Sequence, residues 1–275
     1  MRFILPEDVD IDKVKGRLEY LSFSLATTPL EIFKGDTLVG EATGFFYRRD
    51  DKLFLVTAKH CIFDERYCPD RVVIRLHTDI YDLRKTARKE INLYKNGEKI
   101  WIEHEDMGVD LALIEIDTRA LENCYFAYFT KEDVFSESNP KTKDLVYRFE
   151  VGSPLLVIGY PLGLYDKFNN LPVHRVAFLA SKYAISFGGK PCFLLDSYLP
   201  EGMSGSPVLT ATVVFRGSIA VGIPYYLAGV LQGPVQIPYL LTQKGRIFVN
   251  DIGLYYAFYA DLLESGTVKS NNKNK

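Results

Sequence analysis

The feature that most restricts what this chain can become is a rhythm of short apolar runs, rich in β-branched and aromatic residues, each ended by turn chemistry. Leu53-Phe54-Leu55-Val56 is the clearest of them. Runs at 21–26, 30–33, 38–47, 71–76 and 98–103 surround it, and runs at 155–158, 173–180, 183–187, 193–196, 208–215, 217–222, 226–232 and 246–257 repeat the texture later. Segments this short, bounded by Gly, Pro, Asn, Asp and Lys, read as strands. The 18 Tyr and 18 Phe suit the same pleated surfaces. Strands in succession separated by turns describe an all-β domain of the barrel type.

The polar stretches divide the 275 residues. Residues 1–20 read as an N-terminal extension with a short helix over 10–20, and 21–130 as a first strand-rich half. Residues 131–143, with charges, serines and Asn139-Pro140, read as a linker. Residues 144–264 form a second strand-rich half closed by a short helix at 259–264, and 265–275 a disordered polar tail. The connection 210–226 is long and is expected to form an extra hairpin beside a cleft.

Three spots in this framework carry chemistry. In Gly202-Met203-Ser204-Gly205-Ser206-Pro207 a serine lies between glycines, in a tight turn that exposes its hydroxyl and lets backbone N–H groups point at a ligand. An alcohol is a weak nucleophile at neutral pH, so it needs a base and a group that orients the base. His60, in Thr57-Ala58-Lys59-His60-Cys61, directly follows the 53–56 strand. Asp110 directly precedes the strand pattern Leu111-Ala112-Leu113-Ile114-Glu115-Ile116. Taken singly, each is an ordinary turn or strand-end residue. Asp106 is a rival orienting carboxylate, set aside because the apolar run begins immediately after Asp110. His77, His104 and His174 have no nucleophile near them in sequence and read as surface or hydrogen-bonded structural residues.

The order His, Asp, Ser, with separations of 50 and 94 residues, resembles that of the trypsin-like (chymotrypsin-fold) serine peptidases. Within them the chain is most similar to the bacterial HtrA type. Asp196, eight positions before Ser204, matches an aspartate of that pattern, and Val157-Ile158-Gly159-Tyr160-Pro161-Leu162-Gly163 resembles its Gly-aromatic-Pro-x-Gly segment. The resemblance implies two antiparallel six-stranded β-barrels with the active site between them. His60 and Asp110 would come from the first barrel, and Ser204 from the second. It also implies a serine endopeptidase that hydrolyses protein or peptide substrates through an acyl-enzyme, with the Gly202 and Ser204 amides as oxyanion hole. Met203 stands where digestive trypsins carry the aspartate that captures a freed N-terminus, which argues against activation by N-terminal cleavage. A PDZ-type module, common in HtrA-type proteins, is not expected within these residues.

The primary specificity pocket would be walled by residues just before Ser204 and by the strand through Leu231, Gln232 and Gly233. Lys/Arg-selective trypsins place an aspartate six residues before the nucleophile, and that position here is Tyr198. Without a buried carboxylate to offset desolvation of a cation, an apolar side chain is the expected occupant. A catalytically silent protease fold that binds peptides or proteins is the leading alternative. An α/β-hydrolase esterase is disfavoured because Ser206 stands where its elbow needs glycine.

Composition narrows the partners. The formal net charge of −2 predicts no general affinity for nucleic acid or anionic membrane. No window approaches the roughly 20 apolar residues of a spanning helix. The N-terminus turns acidic before a signal-length apolar stretch can form, so a cytoplasmic location is expected. Cys61, Cys68, Cys124 and Cys192 are too few for a disulfide scaffold of this size. The residue after the histidine pairs with an upstream cysteine in extracellular trypsins, but Ala42-Thr43-Gly44-Phe45-Phe46 has none, so free thiols are expected. A zinc site at His60, Cys61 and Cys68 is disfavoured, because six residues separate the cysteines rather than about two to four. No metal or cofactor is expected, and the oligomeric state is left open.

Overall fold

The computed structural model describes residues 1–6, 9–211, 213–216, 219–222, 225–241, 246–265 and 267–269. The first half holds β1 (Arg2–Ile4), α1 (Ile11–Ala26), β2 (Thr27–Lys34), β3 (Thr37–Arg49), β4 (Lys52–Ala58) and α2 (Lys59–Ile62). It continues through β5 (Arg71–His77), β6 (Thr86–Asn92), β7 (Tyr94–Lys95), β8 (Glu98–Lys99), β9 (Trp101–His104), β10 (Leu111–Ile116) and β11 (Phe126–Thr130). Hydrogen bonding orders its main sheet β9-β10-β4-β3-β2-β5-β6, and the far edges meet where Ile100 N–H donates to Leu93 O at 3.1 Å. β11 lies parallel to β3 and also pairs with β1.

The second half holds α3 (Lys143–Val146), β12 (Pro154–Gly159), β13 (Val173–Leu179), β14 (Cys192–Asp196) and β15 (Pro207–Thr210). β16 (Val213–Arg216) and β17 (Ile219–Gly222) form a hairpin of their own, as expected for the 210–226 connection. β18 (Leu227–Leu241), β19 (Arg246–Tyr259) and β20 (Thr267–Lys269) complete the chain. β12-β13-β14-β19-β18-β15 close into a six-stranded barrel. The fold is all-β and chymotrypsin-like, but of the two six-stranded barrels expected only the second is closed by strand pairing; the main strands of the first half belong to a ten-stranded sheet whose edges are joined by the Ile100 to Leu93 backbone hydrogen bond.

Strand alternation explains why the apolar runs are continuous. On β3 and β4, Phe46 and Leu55 point into the core of the first half, while Phe45 and Val56 point into a second core. That second core also receives Ile158, Leu209 and Val230 from the barrel. Val157 and Val208 point the other way, into the barrel interior. Strands buried on both faces need apolar residues at every position, and the shared core glues the halves together.

Five expectations are corrected. Residues 21–26 are not a strand but the continuation of the helix expected at 10–20: Val14, Leu18, Leu21 and Leu25 fall on one buried face, and no β-branched residue interrupts 21–26. Asp10 caps this helix by accepting Asp12 N–H at 3.2 Å. Residues 183–187 are turns around the positive-φ Ala184, and the apolar signal there comes from Tyr183, whose buried hydroxyl lies 2.8 Å from both Phe135 O and Ala228 O and shares its one proton between them. The 131–143 linker is a packed segment: Phe135, Asn139 and Thr142 are buried, and Asn139 Nδ2 donates to Val134 O at 2.6 Å. Within the 265–275 tail, Thr267–Lys269 forms β20 against β9, with Thr267 opposite His104; 270–275 lie outside the described residues. The expected terminal helix is a 3-10 turn at Ala260–Leu263. Among the described residues no helix is long and apolar enough to cross a membrane.

Candidate active site

β4 and β10 pair in a register that sets Ala58 opposite Leu111, so the segments just beyond both strand ends emerge side by side. His60 sits in the one-turn α2 and Asp110 in the loop before β10. Their contact is dense. Asp110 O accepts Lys59 N–H at 3.2 Å, Asp110 Oδ1 accepts His60 N–H at 2.9 Å, and Asp110 Oδ2 lies 2.5 Å from His60 Nδ1. In the neutral ring the carboxylate holds the proton on Nδ1, so that Nε2 is the nitrogen that gains and loses a proton. Burial favours the neutral imidazole, but the hydrogen bonds and charges of Asp110 and Cys61 outweigh it and raise the pKa above the ordinary 6.5. Cys61 Sγ lies 3.6 Å from Nε2, a contact the sequence reading did not anticipate.

The rival residues are engaged elsewhere. Asp106 Oδ1 accepts Gly108 N–H at 2.8 Å, and Asp106 N–H donates to His104 Nδ1 at 3.1 Å. His77 Nε2 bonds to Asn169 O and His174 Nε2 to Ser24 Oγ, both at 2.9 Å.

Ser204 lies in the loop between β14 and β15, bracketed by Gly202 (φ +86°) and Gly205 (φ +84°). Space enforces both glycines as well as backbone angle: a Cβ on Gly202 would come within 2.5 Å of Tyr160 O, and one on Gly205 within 2.2 Å of Thr43 O. Leu162 N–H donates to Glu201 O at 2.7 Å, Thr43 N–H to Ser204 O at 3.0 Å, and Gly205 N–H to Leu231 O at 2.8 Å. A trans peptide directs its carbonyl and its N–H to opposite sides. Drawing Glu201 O toward Leu162 therefore turns Gly202 N–H away from that loop. Among the described residues, neither the Gly202 nor the Ser204 amide finds a protein acceptor.

Ser204 borders two cavities. One, of about 350 Å³, is shared with His60, Cys61 and Gly202. The other, of about 380 Å³, is walled by Tyr198, Leu199, Pro200, Met203, Leu231 and Tyr255, with Gly233 at its edge. Gln232 does not line it; it sits where the β18 register slips between Leu231 and Gly233. Asp196 is exposed at the end of β14 and lines neither cavity, whereas Glu201 reaches both. No hydrogen bond joins Ser204 Oγ to His60 Nε2 among the described residues. All four cysteines are free, and no group of three or more His, Cys, Asp or Glu is arranged to hold a metal among the described residues.

A two-half all-β fold with this loop architecture defines the class of chymotrypsin-like proteins. A profile of the trypsin-like peptidase domain matches residues 42–217, well over half of the sequence, and the chain belongs to that family. Among solved structures it is similar to the serine endoprotease from Yersinia pestis, with a TM-score of 0.50 and 13% identity over 93% of this chain and 64% of that one. It is also similar to Deg5, at 0.48 and 17% over 94% of each chain. Rv3671c from M. tuberculosis H37Rv, in an inactive serine-to-alanine form, aligns at 0.44 and 14% over 96% and 95%. The chain thus spans 64% of the length of the Yersinia protein, less than two thirds, and at these identities the likeness speaks to the fold. No curated protein matches in sequence.

Proposed function

We propose that the protein is a serine endopeptidase with His60, Asp110 and Ser204 as its catalytic residues. The observation that carries this reading is the two-point grip of Asp110 on the His60 backbone and ring, beside the cavity that Ser204 also lines. Ser204 Oγ attacks the scissile carbonyl carbon while His60 Nε2 takes its proton. The same nitrogen then hands the proton to the departing amine as the acyl-enzyme forms, and water repeats the cycle to release the acid. Asp110 holds the tautomer and stabilises the imidazolium. The unused Gly202 and Ser204 amides receive the developing oxyanion, each donor contributing about 3 kcal/mol in chemistry of this type.

The substrate side chain before the cleaved bond enters the cavity of Tyr198, Leu199, Met203, Leu231 and Tyr255, so the preference is apolar. Glu201 is an exposed carboxylate at the rim, where water screens it, and it does not provide a buried partner for Lys or Arg. Four free thiols fit a reducing compartment.

The second reading, a silent protease fold that binds peptides, draws on one observation: His60 Nε2 faces Cys61 Sγ and not Ser204 Oγ. Catalytic hydrogen bonds are often long before substrate arrives, so this geometry suits both readings. A fluorophosphonate probe followed by mass spectrometry separates them. Label on Ser204, absent in Ser204→Ala, together with cleavage after apolar residues in a mixed peptide library, is the expected result. An unlabelled Ser204 with retained peptide binding would favour the silent fold.

A further inference from the structure

We propose that Thr43 is a positioning residue that locks the nucleophile loop in its oxyanion-binding shape, an inference that rests on the reading of Ser204 as nucleophile. Thr43 lies on β3, in the half opposite the one that carries Ser204, and is fully buried. Its hydroxyl donates to Gly202 O at 2.8 Å and accepts Tyr160 N–H at 3.1 Å. Its own N–H donates to Ser204 O at 3.0 Å, and its carbonyl accepts the Thr57 hydroxyl at 2.8 Å. One residue therefore ties the β12–β13 loop and two successive turns of the nucleophile loop to the sheet that carries His60.

The hydroxyl is the part of this hub that a side-chain change can remove. It satisfies a buried carbonyl on one side and a buried N–H on the other, and a methyl group in its place satisfies neither. The Gly202 carbonyl belongs to the peptide next to the one whose N–H faces the oxyanion. If Gly202 O is released, the Glu201–Gly202–Met203 segment can rotate about its soft dihedrals, and a glycine with φ of +86° offers little resistance. The backbone contacts Thr43 N–H to Ser204 O and Leu162 N–H to Glu201 O remain, so the loop is loosened and not lost. The neighbouring glycines show how closely the hub is packed: a Cβ on Gly159 would meet Thr43 Oγ1 at 2.7 Å.

An oxyanion donor acts only as charge develops, so a defect here lowers kcat and leaves KM nearly unchanged. Thr43→Val keeps the shape and deletes the hydroxyl, and Thr43→Ser keeps the hydroxyl. The expected result is that T43V loses at least about tenfold in kcat and in the rate of fluorophosphonate labelling, with KM within about twofold of the parent. T43S should recover most of that rate. Affinity for a peptide boronate, which presents an oxyanion, should fall in T43V by the same factor as kcat. Each protein is assayed below its own unfolding midpoint, and Thr43→Ala replaces T43V if the valine variant does not fold. Labelling of T43V at the parent rate, or T43S impaired as deeply as T43V, would overturn the role of the hydroxyl while leaving Ser204 as nucleophile. Failure of the parent protein to label at Ser204 would overturn the underlying reading, and this proposal with it.

Discussion

The two halves hold their functional groups by different means. His60 and Asp110 lie at adjacent ends of one antiparallel strand pair, β4 and β10, and among the described residues the hydrogen bonds of the ring come from the segments just beyond that pair. Ser204 belongs to a closed barrel, yet its loop is gripped from outside the barrel by Thr43, as well as from within it by Leu231 and Leu162. A sheet register places the base, whereas contacts between segments distant in sequence place the nucleophile. The base should therefore tolerate changes in the second half, while the nucleophile loop should be sensitive to changes in both.

The largest expected effect is the one that removes the nucleophile. Ser204→Ala should lower kcat by about 10⁶ and leave the melting temperature nearly unchanged, since among the described residues the hydroxyl has no hydrogen-bond partner to lose. Residual hydrolysis near the parent rate would move the chemistry elsewhere.

Next, Asp110→Asn should cost about 10⁴ in kcat by leaving the imidazole in the wrong tautomer. The same variant tests the local character of the base. With the His60 pKa raised, activity falls as pH drops through a value above the ordinary 6.5. Without the carboxylate, that limb should move to lower pH. The stability linkage runs in the same direction: the pair's contribution is fully present below the unfolded value near 6.5 and is lost as pH rises through the raised folded value. The destabilisation of D110N should thus be larger at pH 6 than at high pH. Equal acid limbs in parent and variant would break the comparison on the first-half side.

A smaller effect tests the other side. Gly202→Ala forces a Cβ against Tyr160 O and Leu162 N and displaces the peptide that carries the oxyanion donor. A loss of about 10²–10³ in kcat, with the His60 pH limb unmoved, is expected. A shift of that limb would mean that the two halves are coupled more tightly than the contacts suggest. The smallest effect is none: with four free cysteines, reductant should leave the melting temperature where it is, and a drop of several degrees would reveal a bridge.

What the sequence determined by itself is what repeats over a few residues. Runs such as 53–56 and 111–116 marked strands because burial on both faces demands apolar side chains at every position. His60 and Asp110 were legible because each abuts such a run, and Ser204 because its glycine-bracketed turn follows them in the order His, Asp, Ser. Tertiary structure decided the rest. Residues 21–26 had apolar residues compatible with either period, and the neighbours that cover one helical face chose the helix. A register slip on β18 removed Gln232 from the pocket wall, and nothing in its own side chain signals a bulge. Thr43 read as one more strand residue, because the two partners of its hydroxyl, Tyr160 and Gly202, lie more than a hundred positions away. Local patterns record which face is buried; hydrogen bonds between distant segments exist only once closure of the chain has brought those segments together.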